Sequence, residues 1–206
     1  MSDLANQAVI VVDVQADFTE YRNGSLAVPG TGPDYVKEVI ERTREFKDKG
    51  LPILATRDYH PADHISFFTS HPGKKPLDVI GLQERKQVLW PPHCVQGTPG
   101  ADILLPGDLI TAVISAGDCT ECESYSKFRD DGGHDSGLKG LLEEYGAKRL
   151  IFYGLATDYC VHSTVLHALE EHFDVTLLLG LSRGVSPETT YTAIQEMRAA
   201  GAKIEE

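Results

Sequence analysis

The regular alternation of short apolar segments with amphipathic helical segments most constrains the fold of this chain. The apolar segments predict strands at 8–14, 51–56, 109–115, 149–155, 175–179 and 202–205. Helical periodicity predicts helices at 33–49, 137–145 and 160–172, and a last helix from Pro187. This order predicts an α/β domain in which helices cover both faces of a parallel sheet. No repeat or linker divides residues 1–206, so we expect a single domain.

Charge and composition exclude some partners. The formal net charge is −12, which argues against binding of nucleic acid or an anionic membrane. No apolar segment approaches the ~20 residues that span a bilayer, and the polar start of the chain does not resemble a signal peptide. We therefore expect a cytoplasmic protein with reduced cysteines. Cys119 and Cys122 form a C-x-x-C pair that could indicate redox or zinc chemistry, but without a second pair we expect two thiols in a polar loop.

Groups suited to catalysis follow the predicted strands. Asp13 follows the first strand, Asp58 the second, and Cys160 comes shortly after the fourth. The loop after Ser115 follows the third strand. Because ligands of open parallel sheets bind beyond the carboxyl ends of the strands, these positions predict one common site.

Cys160 is the candidate nucleophile. It lies near the start of a predicted helix, where free backbone amides favour a thiolate and can stabilise an oxyanion. The alternative is an inert buried thiol. Asp13 is a candidate acid–base group because burial at a strand end raises a carboxyl pKa, although it could also cap the following turn.

A second group of side chains suits a divalent metal. It comprises a carboxylate and three imidazoles, namely Asp58, His60, His64 and His93. Zinc is the first expectation, with iron(II) and manganese as alternatives. Loop histidines are often merely exposed, but four such groups flanking one loop region favour a metal site.

Five motifs occur in order between about residues 8 and 185. They are D-V-Q-A-D-F, R-D-Y-H-P with D-H-I-S-F, W-P-P-H-C-V-Q-G-T, Y-S-K-F, and G-L-A-T-D-Y-C-V. Together they resemble the nicotinamidases of the isochorismatase-like hydrolase superfamily. The resemblance implies a three-layer α/β/α fold with a six-stranded parallel sheet, and a Cys-Asp-Lys triad beside a divalent metal.

The resemblance also assigns residue roles. Asp13 corresponds to the acid–base aspartate and Cys160 to the nucleophile, with the amides of Ala156 and Cys160 as the oxyanion hole after a cis Leu155–Ala156 peptide. Asp58, His60 and His93 correspond to metal ligands, and His64 is a fourth ligand in some members. The expected walls of the substrate pocket are Phe18, Leu26, Trp90 and Tyr125, of which Phe18 and Leu26 could instead be core residues.

The sequence departs from the family at one catalytic position. Where the family keeps a lysine followed by glycine, this chain has Ala116 and Gly117. Lys127 occupies a variable position two residues after Tyr125, and we expect it to be solvated rather than a substitute. The sequence therefore predicts an impaired enzyme, either an engineered variant or a natural pseudo-enzyme.

The predicted activity is hydrolysis of nicotinamide to nicotinate and ammonia through a Cys160 thioester, in pyridine-nucleotide salvage. One alternative is another cysteine amidohydrolase of the superfamily, although the expected metal ligands argue against it. The other is a non-catalytic protein that binds metal and nicotinamide, a hypothesis based on Ala116. We expect a homo-oligomer.

Overall fold

A six-stranded parallel sheet forms the centre of the computed structural model, which describes residues 6–82 and 85–206. Its strands are β1 (Gln7–Val12), β2 (Ile53–Asp58), β5 (Ala112–Ala116), β6 (Arg149–Leu155), β7 (Asp174–Arg183) and β8 (Lys203–Glu205). The strand order is β5-β2-β1-β6-β7-β8, and every neighbouring pair is parallel. This confirms the predicted sheet.

Helices cover both faces of the sheet. The helices are α1 (Pro33–Asp48), α2 (Leu138–Glu144), α3 (His162–Glu170) and α4 (Pro187–Ala199). Alternate residues of β1 point to opposite faces: Val9 and Val11 pack in the cluster that contains the apolar side chains of α1, whereas Ile10 packs in the cluster of α2, α3 and α4. The result is the expected three-layer α/β/α arrangement.

The chain reverses its direction across the sheet beside β1. It runs outward from β1 to β2 and β5, and later from β6 to β7 and β8 on the other side. Val12 pairs with Gly154, and a Cβ at Gly154 would lie 2.1 Å from the Val12 carbonyl oxygen. Only glycine permits the Val12 carbonyl to come this close to residue 154. The carboxyl ends of β1 and β6 therefore lie close together, at the position where ligands bind in such sheets.

Three differences between the predicted and the observed elements concern the loops and the site. Residues 58–107, for which the sequence predicts no helix or strand, contain an antiparallel pair of β3 (Val79–Leu82) and β4 (Arg85–Val88), whose alternation is too short to detect among prolines and glycines. Ala116 lies inside β5, paired with Asp58, rather than after it. A π-helical turn at Thr157–Val161 precedes α3, so Cys160 lies in that turn.

The loop between β5 and α2 also differs from expectation. Cys119 and Cys122 are paired as a disulfide rather than present as two separate thiols. No helix of the described residues is long and apolar enough to cross a membrane.

Candidate active site

The Cys160 thiol is buried near the carboxyl ends of β1 and β2. Its sulfur lies within 4.8 Å of carboxylate oxygens of Asp13 and Asp58. The preceding Leu155–Ala156 peptide is cis, as the resemblance implied. The Ala156 carbonyl accepts hydrogen bonds from the amides of Tyr159 (3.0 Å) and Val161 (3.1 Å), which fixes the turn that presents Cys160.

Asp13 is completely buried directly after β1. The Thr56 hydroxyl donates a hydrogen bond of 2.6 Å to Asp13 Oδ1. The other oxygen, Oδ2, lies 2.8 Å from Nζ of Lys127. The carboxylate is thus held by a neutral donor on one side and a cation on the other.

The position of Lys127 differs most from what the sequence predicts. Its side chain is 0% exposed, so the expectation of a solvated lysine is wrong. Nζ contacts Asp13 Oδ2 and forms a short ion pair with Asp58 Oδ1. Two buried carboxylates need a cation beside them, because an unpaired buried charge is strongly destabilising. Lys127 supplies the fixed cation whose absence was inferred from Ala116.

The backbone around Lys127 is anchored to helix α3 and to the turn that carries Cys160. The Thr164 hydroxyl accepts a hydrogen bond from the Lys127 amide (3.1 Å) and donates one to the Cys160 carbonyl (2.6 Å). The Ser136 hydroxyl donates to the Lys127 carbonyl at 2.6 Å. The Thr164 hydroxyl therefore links the segment that carries Lys127 to the turn that carries Cys160.

Burial and charge act in opposite directions on these groups. Burial would lower the pKa of Lys127, but Asp13 and Asp58 raise it well above its ordinary value, so the ammonium stays charged. Burial raises the pKa of Asp13, and Lys127 opposes that rise. Burial also raises the pKa of the Cys160 thiol well above its usual value, again opposed by Lys127. Lys127 therefore favours the charged forms of both Asp13 and the Cys160 thiol, against the effect of their burial.

Asp58, His60 and His93 form a second cluster next to Cys160, Asp13 and Lys127. Nε2 of His60 lies 3.5 Å and Nε2 of His93 lies 4.0 Å from Asp58 Oδ2. Nδ1 of His60 bonds to the Gly117 carbonyl (2.9 Å) and Nδ1 of His93 to the Pro91 carbonyl (2.7 Å). Such outer bonds direct both Nε2 atoms toward one point, so the donor set fits a divalent metal.

Asp58 connects the two clusters because Oδ1 contacts Lys127 whereas Oδ2 faces the histidines. Burial would raise the pKa of Asp58, but Lys127 and His60 lower it below its ordinary range. Asp58 is therefore a permanent carboxylate, as a metal ligand requires.

His64 lies outside the ligand set in this structure. Its Nδ1 is 2.7 Å from the Ser66 hydroxyl, and its Nε2 is 2.9 Å from the Cys122 carbonyl. Both ring nitrogens thus have partners outside the Asp58–His60–His93 cluster, and the role of His64 as a fourth ligand stays a prediction.

A cavity joins the Cys160 thiol to Asp58 and His93 of the candidate metal-binding cluster. It is lined by all four residues expected to bind substrate and by the chemical groups, namely Phe18, Leu26, Val28, Asp58, Trp90, His93, Tyr125, Ala156, Tyr159, Cys160 and Val185. Nε1 of Trp90 donates a hydrogen bond of 3.0 Å to the Tyr125 hydroxyl. The walls are mainly apolar and aromatic, which suits a flat ring.

Sequence reasoning missed several wall residues. The Tyr159 ring packs 5.2 Å from Trp90 and 5.7 Å from Tyr125, and Val185 reaches the cavity from the loop before α4. Asp158 holds that loop by accepting a 2.9 Å hydrogen bond from the Val185 amide. Tyr159 could have been found from its position next to Cys160, whereas no sequence pattern around Val185 indicates that it lines a cavity.

A buried thiol, carboxylate and ammonium at the carboxyl ends of the parallel strands are the features of a cysteine-dependent hydrolase of the α/β class. Residues 7–206 match the Isochorismatase domain family. The chain belongs to that family.

Its relatives include nicotinamidases. The chain is 38% identical to the nicotinamidase of Acinetobacter baylyi, over 98% of this chain and 92% of that protein. The structure resembles a nicotinamidase/pyrazinamidase of Acinetobacter baumanii with a TM-score of 0.89 and 32% identity, covering 100% and 98% of the two chains. It also resembles the pyrazinamidase of Pyrococcus horikoshii in complex with zinc, with a TM-score of 0.80 and 39% identity, covering 98% and 99%. These findings confirm the resemblance indicated by the motifs.

Proposed function

We propose that this chain is an active nicotinamidase that hydrolyses nicotinamide to nicotinate and ammonia with the triad Cys160, Asp13 and Lys127. The main support is the burial of Lys127 between Asp13 and Asp58, beside the thiol. The non-catalytic alternative depended on the lack of such a cation, so nothing in the site favours it.

Acylation begins when the Cys160 sulfur attacks the carboxamide carbon and Asp13 accepts the thiol proton. The oxygen that becomes negative is stabilised by the amides of Ala156 and Cys160. Asp13 then returns the proton to the departing nitrogen as the carbon–nitrogen bond breaks, which releases ammonia and leaves a thioester on Cys160.

Deacylation uses the same residues. Asp13 removes a proton from a water molecule that attacks the thioester carbon, and the sulfur leaves and is reprotonated, which releases nicotinate. Lys127 stays protonated throughout and balances the charge of Asp13 as the proton moves.

Asp58, His60 and His93 would hold a divalent metal, with zinc as the first candidate because one similar structure contains it. When bound, the metal supplies a Lewis acid that can bind a ring nitrogen or a water molecule. Phe18, Trp90 and Tyr125 hold the ring flat, with its carboxamide toward Cys160.

The test is ammonia release from nicotinamide by purified protein. We expect turnover by the wild-type chain and none above background by Cys160→Ala. Cys94→Ala is the matched control, because Cys94 is also a buried free thiol but does not line the cavity, and it should keep its rate. A wild-type chain with bound metal that binds nicotinamide but releases no ammonia would disprove the proposal.

A further inference from the structure

A second group of side chains that could ligate a metal lies outside the active site, in the loop between β5 and α2. It consists of Cys119, Cys122, Asp130 and His134, whose ligand atoms all lie within 4.8 Å of one another. A disulfide between the two cysteines does not require a carboxylate and an imidazole beside it. The convergence of all four groups therefore calls for another explanation.

We propose that these four residues form a zinc site when the cysteines are reduced. Two thiolates, an imidazole and a carboxylate make a four-ligand set of the kind that zinc prefers, and the thiolates distinguish it from hard-cation sites. The disulfide is the oxidised, metal-free form. A dithiol or phosphine reductant supplies the two electrons that convert it to thiols, and two protons are released as the two sulfur–zinc bonds form.

The geometry is close to that of a tetrahedral site. Cys122 Sγ lies 3.8 Å from His134 Nδ1. Ligands at ordinary zinc–sulfur and zinc–nitrogen distances in a tetrahedron lie about 3.6 Å apart. Little movement is needed between these two groups.

Hydrogen bonds between Asp130 and His134 hold these two candidate ligands in place. Asp130 Oδ1 accepts a hydrogen bond from the His134 amide (2.9 Å), and Oδ2 lies 2.8 Å from His134 Nδ1. A Cβ at Gly132 would lie 2.8 Å from Cys122 Sγ, so this glycine allows the backbone to wrap closely around the sulfur. The His134 side chain is 69% exposed, which leaves the site open to an entering ion.

The site would order the loop that carries catalytic groups. The four ligands flank Tyr125 and Lys127 in sequence, and residues 117–137 contain no helix or strand of their own. The Cys122 carbonyl pairs with His64 Nε2, and the Thr120 carbonyl accepts a 2.8 Å hydrogen bond from the Ile65 amide. A metal here would therefore brace the segment from which Lys127 reaches the active site.

The test measures zinc on the full-length chain after phosphine reduction and equilibrium dialysis. In a Cys160→Ser background, we expect one zinc equivalent more per chain than in the same background with Cys119→Ser and Cys122→Ser. Cobalt(II) should give a thiolate-to-metal charge-transfer band only when Cys119 and Cys122 are present. Because Cys160 is absent, this band cannot arise from the active-site thiol.

His134→Ala provides a variant that should fold, since its side chain is mostly exposed, and it should weaken zinc binding at this site more than about tenfold. His172→Asn, outside both clusters, should bind like the parent. Equal zinc content with and without the two cysteines, or no charge-transfer band from fully reduced protein, would overturn the proposal and leave the nicotinamidase assignment untouched.

Discussion

Lys127 Nζ lies 2.8 Å from Asp13 Oδ2, although Lys127 comes from a loop and not from the end of β5. Ala116 is buried inside β5 on the same face as Ile114, which packs in the cluster that contains Cys160. We infer that a lysine at position 116 would reach the same carboxylate from a second point of the backbone. What the site needs is a buried cation at this point in space.

Replacement of Lys127 by Met should lower kcat by several orders of magnitude, because members of a catalytic triad act as a unit. It should also reduce the free energy of unfolding, since two buried carboxylates lose their partner, at a cost of about 3–5 kcal/mol. Ammonia release and urea unfolding measure the two effects.

The control for this prediction is relocation of the lysine. The double variant Ala116→Lys/Lys127→Ala should recover much of the activity lost in Lys127→Ala, whereas Ala116→Lys alone should give no gain because it crowds two cations together. A marked gain from Ala116→Lys alone would support the original expectation that this chain is impaired.

The reactivity of Cys160 should depend on Lys127. The ammonium opposes the rise that burial causes in the thiol pKa, so Lys127→Gln should raise this pKa further. The pH profile of alkylation by iodoacetamide should therefore move to higher pH in the variant. An unchanged profile, or one at lower pH, would show that Lys127 does not act on the thiol.

The site residues at strand ends could be predicted, whereas Lys127 could not. Asp13 follows β1 and Asp58 ends β2, and the carboxyl ends of such apolar strands must meet at one edge of a parallel sheet. Lys127 lies in a loop without periodicity, where a lysine is normally solvated. Its burial results from two carboxylates that are distant in sequence. The same limit applies to the β3–β4 pair and to Val185, whose positions depend on tertiary contacts.

His64 should be dispensable for metal stoichiometry. Its two ring nitrogens have partners in Ser66 and Cys122, so His64→Asn should keep one metal equivalent at the active site, while His60→Ala and His93→Ala should lose it. Metal analysis of the variants with Cys119→Ser and Cys122→Ser added avoids counting any ion bound in the loop. Loss of the active-site metal in His64→Asn would show that its ring turns toward the cluster when the ion binds.

Gly117 should be essential for the position of His60. Its φ of +76° is unfavourable for other residues, and an added Cβ would lie 2.4 Å from His60 Cε1. Gly117→Ala should therefore displace the imidazole and weaken metal binding by at least tenfold. Gly107→Ala is the matched control, because a Cβ there meets nothing within 4 Å, and its metal affinity should equal that of the parent.

Thr164 should act as a positioning residue. Its hydroxyl bonds to both the Lys127 amide and the Cys160 carbonyl, so Thr164→Val removes two contacts while keeping the side-chain volume. We expect kcat to fall more than tenfold with a smaller change in KM, because the reacting groups lose alignment while the aromatic walls remain. Thr164→Ser retains the hydroxyl and should restore most of the rate. If Val and Ser lower kcat equally, the lost methyl packing and not the hydrogen bonds would be responsible, and Thr164 would have no part in aligning the cation with the thiol.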